Sequence, residues 1–290
     1  MKVTLSKYAG FCDGVERAYN IVKDAAQNHQ IKKPIFVLGS LVHNKDVVDS
    51  IEKLGVKKIE FSGKIEEISK EIDDKIGTLI VTAHGIGPRI FDIAKEKGID
   101  IIDTTCPKVI KVQRLAQVFF NRNHQVVIIG EKKHKEVQGI HRWARKNSII
   151  VSSNEDIDNL KFDSSRSVTV ISQTTQNRDW AENMAKRIKK KYPQVEIIDT
   201  VCSTTRDRQN EIRELAKNNE LILVIGSPAS SNSNRLWEIA KSVNENTYFI
   251  ERLEDIKKEW LNRVVNIGVT AGASSPRWVI RKVVDYLNKV

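Results

Sequence analysis

With 290 residues, 40% hydrophobic and 29% charged, the chain has the size for one large domain or a few small ones and the composition of an ordinary globular protein. No apolar run nears the roughly 18–20 residues needed to cross a bilayer, and Met1–Ser6 leads into a strand with no signal-peptide block, so the cytoplasm is the expected location. A formal net charge of +11 favours anionic partners, although much of it lies along solvated helix faces such as Lys186–Lys191.

Taken in order, short β-rich runs alternate with helical patterns, which predicts an α/β protein with parallel sheet. Strands are expected at Val3–Ser6, Ile35–Leu38, Lys57–Glu60, Thr78–Thr82, Ile99–Ile102, Val126–Ile129, Ser148–Ser152, Val168–Ile171, Val195–Ile198, Leu221–Ile225, Thr247–Ile250 and Val265–Val269. Helices are expected after Cys12 towards Ala26, after Cys106 to about Asn121, after Cys202, and from about Pro276.

The only cysteines, Cys12, Cys106 and Cys202, fall at nearly even intervals, each where a strand-like run meets a helix-like one. Repetition at this spacing predicts one supersecondary plan used three times. The third unit lacks a strand, and Val3–Ser6 is the one left over. The expected fold is therefore three pseudo-threefold-related α/β lobes, each a mostly parallel four-stranded sheet with helices, around a central cavity. The lobes are 13–105, 106–200, and 1–12 with 201–290.

Two further features recur in phase with the cysteines. One is strand, Gly, then a polar loop, at Gly39–Asn44, Gly130–Glu136 and Gly226–Asn232. The other is a strand followed by small polar residues, at Thr82–Gly85, Ser172–Thr175 and Thr270–Ser275. Ligands of parallel sheets sit outside the carboxyl ends of the strands, where all these loops lie.

Three cysteines without a C-x-x-C pair do not suggest a disulfide framework in a cytosolic chain. They suit a [4Fe–4S] cluster with one iron left without a thiolate, or a Cys₃ zinc site; the lack of a close-spaced pair favours the cluster. The loops add His43, His84, His134, Ser230, Ser231, Asn232 and Ser274, a donor-rich set suited to phosphate. Glu136 is the candidate proton donor and Thr174 the candidate relay or anchor, while Asp13 and Asp103 read as cap or turn residues.

These motifs together resemble the LytB family of 4-hydroxy-3-methylbut-2-enyl diphosphate reductases. The matching segments are G-F-C-x-G-V-x-R-A (10–18), V-H-N (42–44), A-H-G (83–85), T-C-P (105–107), H-x-E-V (134–137), Q-T-T (173–175), Cys202 with Arg208-Gln209, G-S-x-x-S-S-N-S-N-R-L (226–236) and T-A-G-A-S (270–274). The resemblance implies a three-lobed fold and a [4Fe–4S] cluster on Cys12, Cys106 and Cys202. It implies an allylic diphosphate held by His43, His84, His134, Ser230, Ser231, Asn232 and Ser274, and reductive loss of its hydroxyl. Glu136, assisted by Thr174, would protonate the leaving group, the products being isopentenyl and dimethylallyl diphosphate. An acidic ferredoxin or flavodoxin-type protein would supply the electrons.

The chain departs from the family at Lys133-His134-Lys135-Glu136, where Gly-His-Pro-Glu is usual, and at Ser203-Thr204, where an aromatic-Ala pair is usual. Two lysines beside Glu136 are expected to attract diphosphate or to depress the carboxyl pKa by charge. Two other functions compete. A non-redox hydro-lyase on the same open iron would turn over without reductant. A basic nucleic-acid-binding protein would show steep salt dependence, but no recognition helix or RNP motif is present and aromatic residues are only 6%. Neither nucleic acid nor membrane is an expected partner.

Overall fold

The computed structural model describes residues 1–60 and 75–290. The strands are β1 (Lys2–Leu5), β2 (Ile35–Leu38), β3 (Lys57–Ile59), β4 (Thr78–Val81), β5 (Asp100–Asp103), β6 (Gln125–Ile129), β7 (Ser148–Val151), β8 (Val168–Ser172), β9 (Glu196–Ile197), β10 (Leu221–Ile225), β11 (Thr247–Ile250) and β12 (Asn266–Ala271). The helices are α1 (Asp13–Gln27), α2 (Lys45–Glu52), α3 (Arg89–Glu96), α4 (Pro107–Asn121), α5 (Lys135–Trp143), α6 (Asn154–Asp158), α7 (Arg178–Lys191), α8 (Ser203–Lys217), α9 (Ser231–Val243) and α10 (Arg277–Leu287). None of these helices is long and apolar enough to cross a membrane.

The strands form three four-stranded sheets with orders β3-β2-β4-β5, β7-β6-β8-β9 and β11-β10-β12-β1, parallel throughout. The same connectivity is used each time, with the N-terminal β1 as fourth strand of the last sheet. Its register runs from Lys2 opposite Asn266 to Leu5 opposite Val269. The repetition extends to single hydrogen bonds. The glycine ending the first central strand donates to the last residue of its neighbour in all three sheets: Gly39 to Ile59 at 2.8 Å, Gly130 to Val151 at 2.9 Å, and Gly226 to Ile250 at 2.9 Å.

Purely parallel sheets need cover on both faces, so their strands read as continuous apolar runs. Along β6, Val127 and Ile129 pack with Met184 and Ile188 of α7, whereas Val126 and Ile128 pack with Val112, Ala116 and Phe119 of α4 and Val137 and Ile140 of α5. Along β10, Leu221, Leu223 and Ile225 meet Val279, Ile280 and Val283 of α10, and Ile222 and Val224 meet Ile212 of α8 and Leu236 of α9. In the first sheet, Leu38, Leu79 and Val81 pack with Ile90 and Ile93 of α3. Each such fully buried side chain contributes roughly 1.5–3 kcal/mol relative to exposure.

The chain divides into two compact units. One comprises Met1–Glu16, Val42–Ser50 and Ser203–Val290 and holds the sheet of β1 and β10–β12; the other comprises Arg17–Leu41 and Ile51–Cys202 and holds the two remaining sheets.

Candidate active site

The larger unit, with its two sheets, brings together Glu136, Thr174, His84, His134, Cys106 and Cys202. The loop after β6 is shorter than the sequence suggested, because it ends at His134, the N-cap of α5. The signal was present in Val137, Ile140 and Ala144, a helical stripe that begins directly after Glu136. His134 Nδ1 accepts the Glu136 N–H at 3.2 Å, so that nitrogen is the unprotonated one and the ring proton is on Nε2. The rings of His134 and His84 meet edge to face with centroids 5.8 Å apart.

Helix α5 carries Glu136 inward, where it is only 2% exposed. Its two carboxyl oxygens are divided between two donors on one residue: Oε1 accepts the Thr174 N–H at 2.6 Å, and Oε2 the Thr174 hydroxyl at 2.9 Å. Burial pushes the Glu136 pKa up to about 7, against the downward pull of the Thr174 hydrogen bonds. The expectation that Lys133 and Lys135 depress this carboxyl is corrected here. Lys133 is exposed to solvent, and the half-buried Lys135 turns its ammonium over Gly39, 2.7 Å from where a Cβ would stand. Burial and the charge of Lys58 lower the pKa of Lys135 in turn. Gly39 has φ +76°, so both the conformation and the close ammonium call for glycine.

The cysteine backbones are tied to these loops by one repeated bond. Cys106 N–H donates to the Ala83 carbonyl, beside His84, at 3.1 Å, and Cys202 N–H donates to the Thr174 carbonyl at 3.0 Å. Cys106 is the N-cap of α4, with Pro107 in the first turn, and Cys202 immediately precedes α8. Asp103 serves as the expected turn residue, its carboxylate accepting the Thr105 N–H at 2.9 Å. Behind His84, Gly85 has φ +72°, and an added Cβ would lie 2.3 Å from the Gln113 amide nitrogen.

The smaller unit holds Cys12, His43, Ser230, Ser231, Asn232 and Ser274. Ser230 caps α9: its Oγ accepts the Ser233 N–H at 3.4 Å and shares hydroxyl–hydroxyl hydrogen bonds with Ser233 at 3.0 Å and Ser274 at 3.3 Å. Capping and clustering are thus the same arrangement. Ser230, Ser231, Asn232 and Ser274 are all buried, and the Asn232 amide nitrogen has no hydrogen-bond partner among the described residues. Two glycines make room for the cluster: a Cβ on Gly226 or Gly272 would lie 2.4 or 1.9 Å from Ser233 Oγ. His43 is half-buried just before the Asn44 side chain, which accepts the Val47 N–H at 3.2 Å at the start of α2.

Two residues of α8 hold the segment that leads to Cys12, and they were not singled out for this role from the sequence. The buried Arg208 donates to the Gly10 carbonyl at 2.7 Å and the Ala271 carbonyl at 3.1 Å. Glu211 accepts the Ser6 hydroxyl at 2.5 Å and the Lys7 N–H at 2.6 Å. Arg208-Gln209 was visible only as part of a motif; the Arg208 partners Gly10 and Ala271 lie 198 and 63 residues away, beyond any local pattern.

None of the three cysteines is in a disulfide, and all are half-buried. Each follows a strand-end segment and stands at the start of a helix. Cysteine sulfur is a soft ligand of the kind that suits iron–sulfur ligation. Among the described residues, no three His, Cys, Asp or Glu side chains are gathered at metal-binding distance, and the cysteines are divided between the units.

Comparison with known proteins gives this arrangement its relatives. The family described as "LytB protein" matches residues 3–288. A 4-hydroxy-3-methylbut-2-enyl diphosphate reductase of Clostridioides difficile (strain 630) is 33% identical over 290 residues, covering 100% of both chains. The solved E-1-hydroxy-2-methyl-but-2-enyl-4-diphosphate reductase of Plasmodium falciparum is 32% identical with a TM-score of 0.91, over 99% of this chain and 88% of that one. A second solved structure, of (E)-4-hydroxy-3-methyl-but-2-enyl diphosphate reductase, the terminal enzyme of the non-mevalonate pathway, is 32% identical with a TM-score of 0.70 over 100% of both chains. Matched along nearly its whole length by the family's model and by its relatives, the chain belongs to the LytB protein family.

Proposed function

We propose that this chain reduces (E)-4-hydroxy-3-methylbut-2-enyl diphosphate to isopentenyl and dimethylallyl diphosphate, the last step of non-mevalonate isoprenoid precursor synthesis, in the cytoplasm. The observation that carries this reading is Glu136: a buried carboxyl, fixed by Thr174, with a pKa of about 7. Such a group holds a proton at neutral pH and can give it up, as a general acid requires.

Cys12, Cys106 and Cys202 would hold one [4Fe–4S] cluster, each sheet with its helices serving as one lobe in the spans 13–105, 106–200, and 1–12 with 201–290. When bound, the cluster supplies an open Lewis-acid iron and a path for electrons. The reaction consumes two electrons and two protons: the C–O bond breaks, one proton leaves with the hydroxyl as water, and the other ends on carbon. Glu136 gives the first proton, and Thr174 keeps its carboxyl in place.

His43, His84, His134, Thr174, Ser230, Ser231, Asn232 and Ser274 form the substrate-binding set. His134, whose Nδ1 is taken up by the Glu136 N–H, would turn its Nε2–H to a phosphate oxygen. The Ser230, Ser233 and Ser274 hydroxyls share hydrogen bonds within one cluster, and the Asn232 amide is a ready donor. These neutral donors suit a diphosphate. The electron donor is an acidic ferredoxin or flavodoxin-type protein.

Iron and sulfide analysis of anaerobically purified protein tests the cofactor. About four of each per chain is expected, and Cys12→Ser lowers the iron content. About one zinc without sulfide would sink the redox reading. Glu136→Gln should retain iron and substrate affinity while losing at least about 10²-fold in turnover; near-normal turnover would remove Glu136 from the mechanism. Dehydroxylation without any reductant would favour the hydro-lyase alternative.

A further inference from the structure

Helix α4 presents a second face that neither the sheet core nor the substrate residues use. Its inner residues Val112, Ala116 and Phe119 pack against β6. On the outer side Pro107, Ile110, Lys111, Arg114, Leu115 and Val118 line an open groove of about 420 Å³. These positions recur at intervals of three and four, so they form a single stripe down the helix. Pro107, Lys111 and Arg114 are exposed and Val118 is 42% exposed, which leaves apolar surface in water. Helix α4 itself contributes no acidic residue to this face.

An apolar stripe interleaved with the cations Lys111 and Arg114 matches an acidic protein surface. The charges steer and orient the partner, and the apolar side chains give close contact. A second copy of this chain, itself at +11, would be repelled. Nucleic acid gains little from Ile110, Leu115 and Val118, which offer neither phosphate contacts nor aromatic stacking. The position of the stripe on the chain narrows the choice further, because α4 opens at Cys106.

We propose that the outer face of α4 is the docking surface for a small acidic iron–sulfur electron-carrier protein. This rests on the reductase reading above, since a reduction must draw electrons from outside the chain. Two reduced carrier molecules are each oxidised by one electron per turnover, matching the two electrons that the substrate consumes. Docking at the start of α4 places the carrier at the end of the helix that bears Cys106.

The test uses the full chain carrying Lys111→Glu and Arg114→Glu together, with an acidic [2Fe–2S] ferredoxin as probe. Its Kd at low ionic strength is expected to rise at least about tenfold, and turnover driven by ferredoxin to fall in parallel. Turnover driven by a reduced viologen dye should stay at the parent rate, which also shows that the variant is folded and loaded. Val118→Ser should weaken ferredoxin binding at high salt, where the charge effect is screened. A control with Lys189→Glu and Lys190→Glu on α7 should leave the Kd unchanged. An unchanged Kd in the α4 variant, or an equal loss in the α7 control, overturns the proposal. So does a dimer in sedimentation that the α4 substitutions dissolve. If ferredoxin binds through α4 while the parent protein turns over no allylic diphosphate even with the dye, the docking surface stands and the reductase reading fails.

Discussion

Glu136 couples its proton to the stability of the fold. Its pKa in the fold, about 7, lies above the ordinary 4.5, so the folded state binds the proton more tightly than the unfolded chain does. The resulting stabilisation is fully present below about pH 4.5 and is lost as pH rises to 7. The loss is on the order of a few kcal/mol, since one pKa unit corresponds to about 1.4 kcal/mol. Glu136→Gln is neutral at every pH and escapes this loss. Denaturant unfolding should therefore find the variant gaining on the parent as pH moves from 5 to 8, and a constant difference would show that the carboxyl is not raised. The sequence made Glu136 a candidate through its neighbours but gave the wrong direction for its charge state. Lysines adjacent in sequence looked like electrostatic partners, whereas the helix start at His134 turns Glu136 inward and leaves Lys133 in water.

At the scale of elements, α8 acts as a clamp on the chain that leads to Cys12. Arg208→Met would strip hydrogen bonds from two buried carbonyls, those of Gly10 and Ala271. A loss of about 2–4 kcal/mol is expected, since charge-assisted bonds contribute roughly 1.5–3 kcal/mol each and their loss strands the acceptors. Amide hydrogen exchange should show faster opening across residues 7–12, with the strands of the larger unit unchanged; uniform acceleration would rule out a local clamp. Most strands were legible in the sequence to within a residue or two, because parallel strands covered on both faces are unbroken β-branched runs ending at glycine or small polar residues. β9 is shorter than its apolar run, with only Glu196–Ile197 in the ladder, because Val195 turns into the core before the ladder begins. Long-range clamps such as Arg208 left no local periodicity to read.

Across the whole molecule, the three sheets repeat one strand order, and the third borrows its edge strand from the other end of the sequence. Cysteine spacing and one missing strand were enough to anticipate this, because a parallel sheet left short must be completed from elsewhere. Removing residues 1–5 deletes four ladder positions and bares the edge of β12. Lower thermal stability and concentration-dependent self-association should follow, read by calorimetry and sedimentation, since unpaired edges invite pairing between molecules. Unaltered melting and a monomer at all concentrations would mean that β1 adds nothing.

That borrowed strand also sets a timetable for synthesis. Residues 2–5 leave the ribosome some 260 residues ahead of β12, their pairing partner. At about 5–20 residues per second, the interval is roughly fifteen seconds to a minute. Throughout it both other sheets can be completed from contiguous sequence, while the leading strand has nowhere to pair. Its brevity and the flanking Lys2 and Lys7 suit that wait, because a short strand edged by lysine is a poor template for its neighbours on a polysome. The sheet that carries Ser230 and Ser274 is therefore the last to close, and a nascent chain gains the buried hydroxyl cluster of Ser230, Ser233 and Ser274 only at the end.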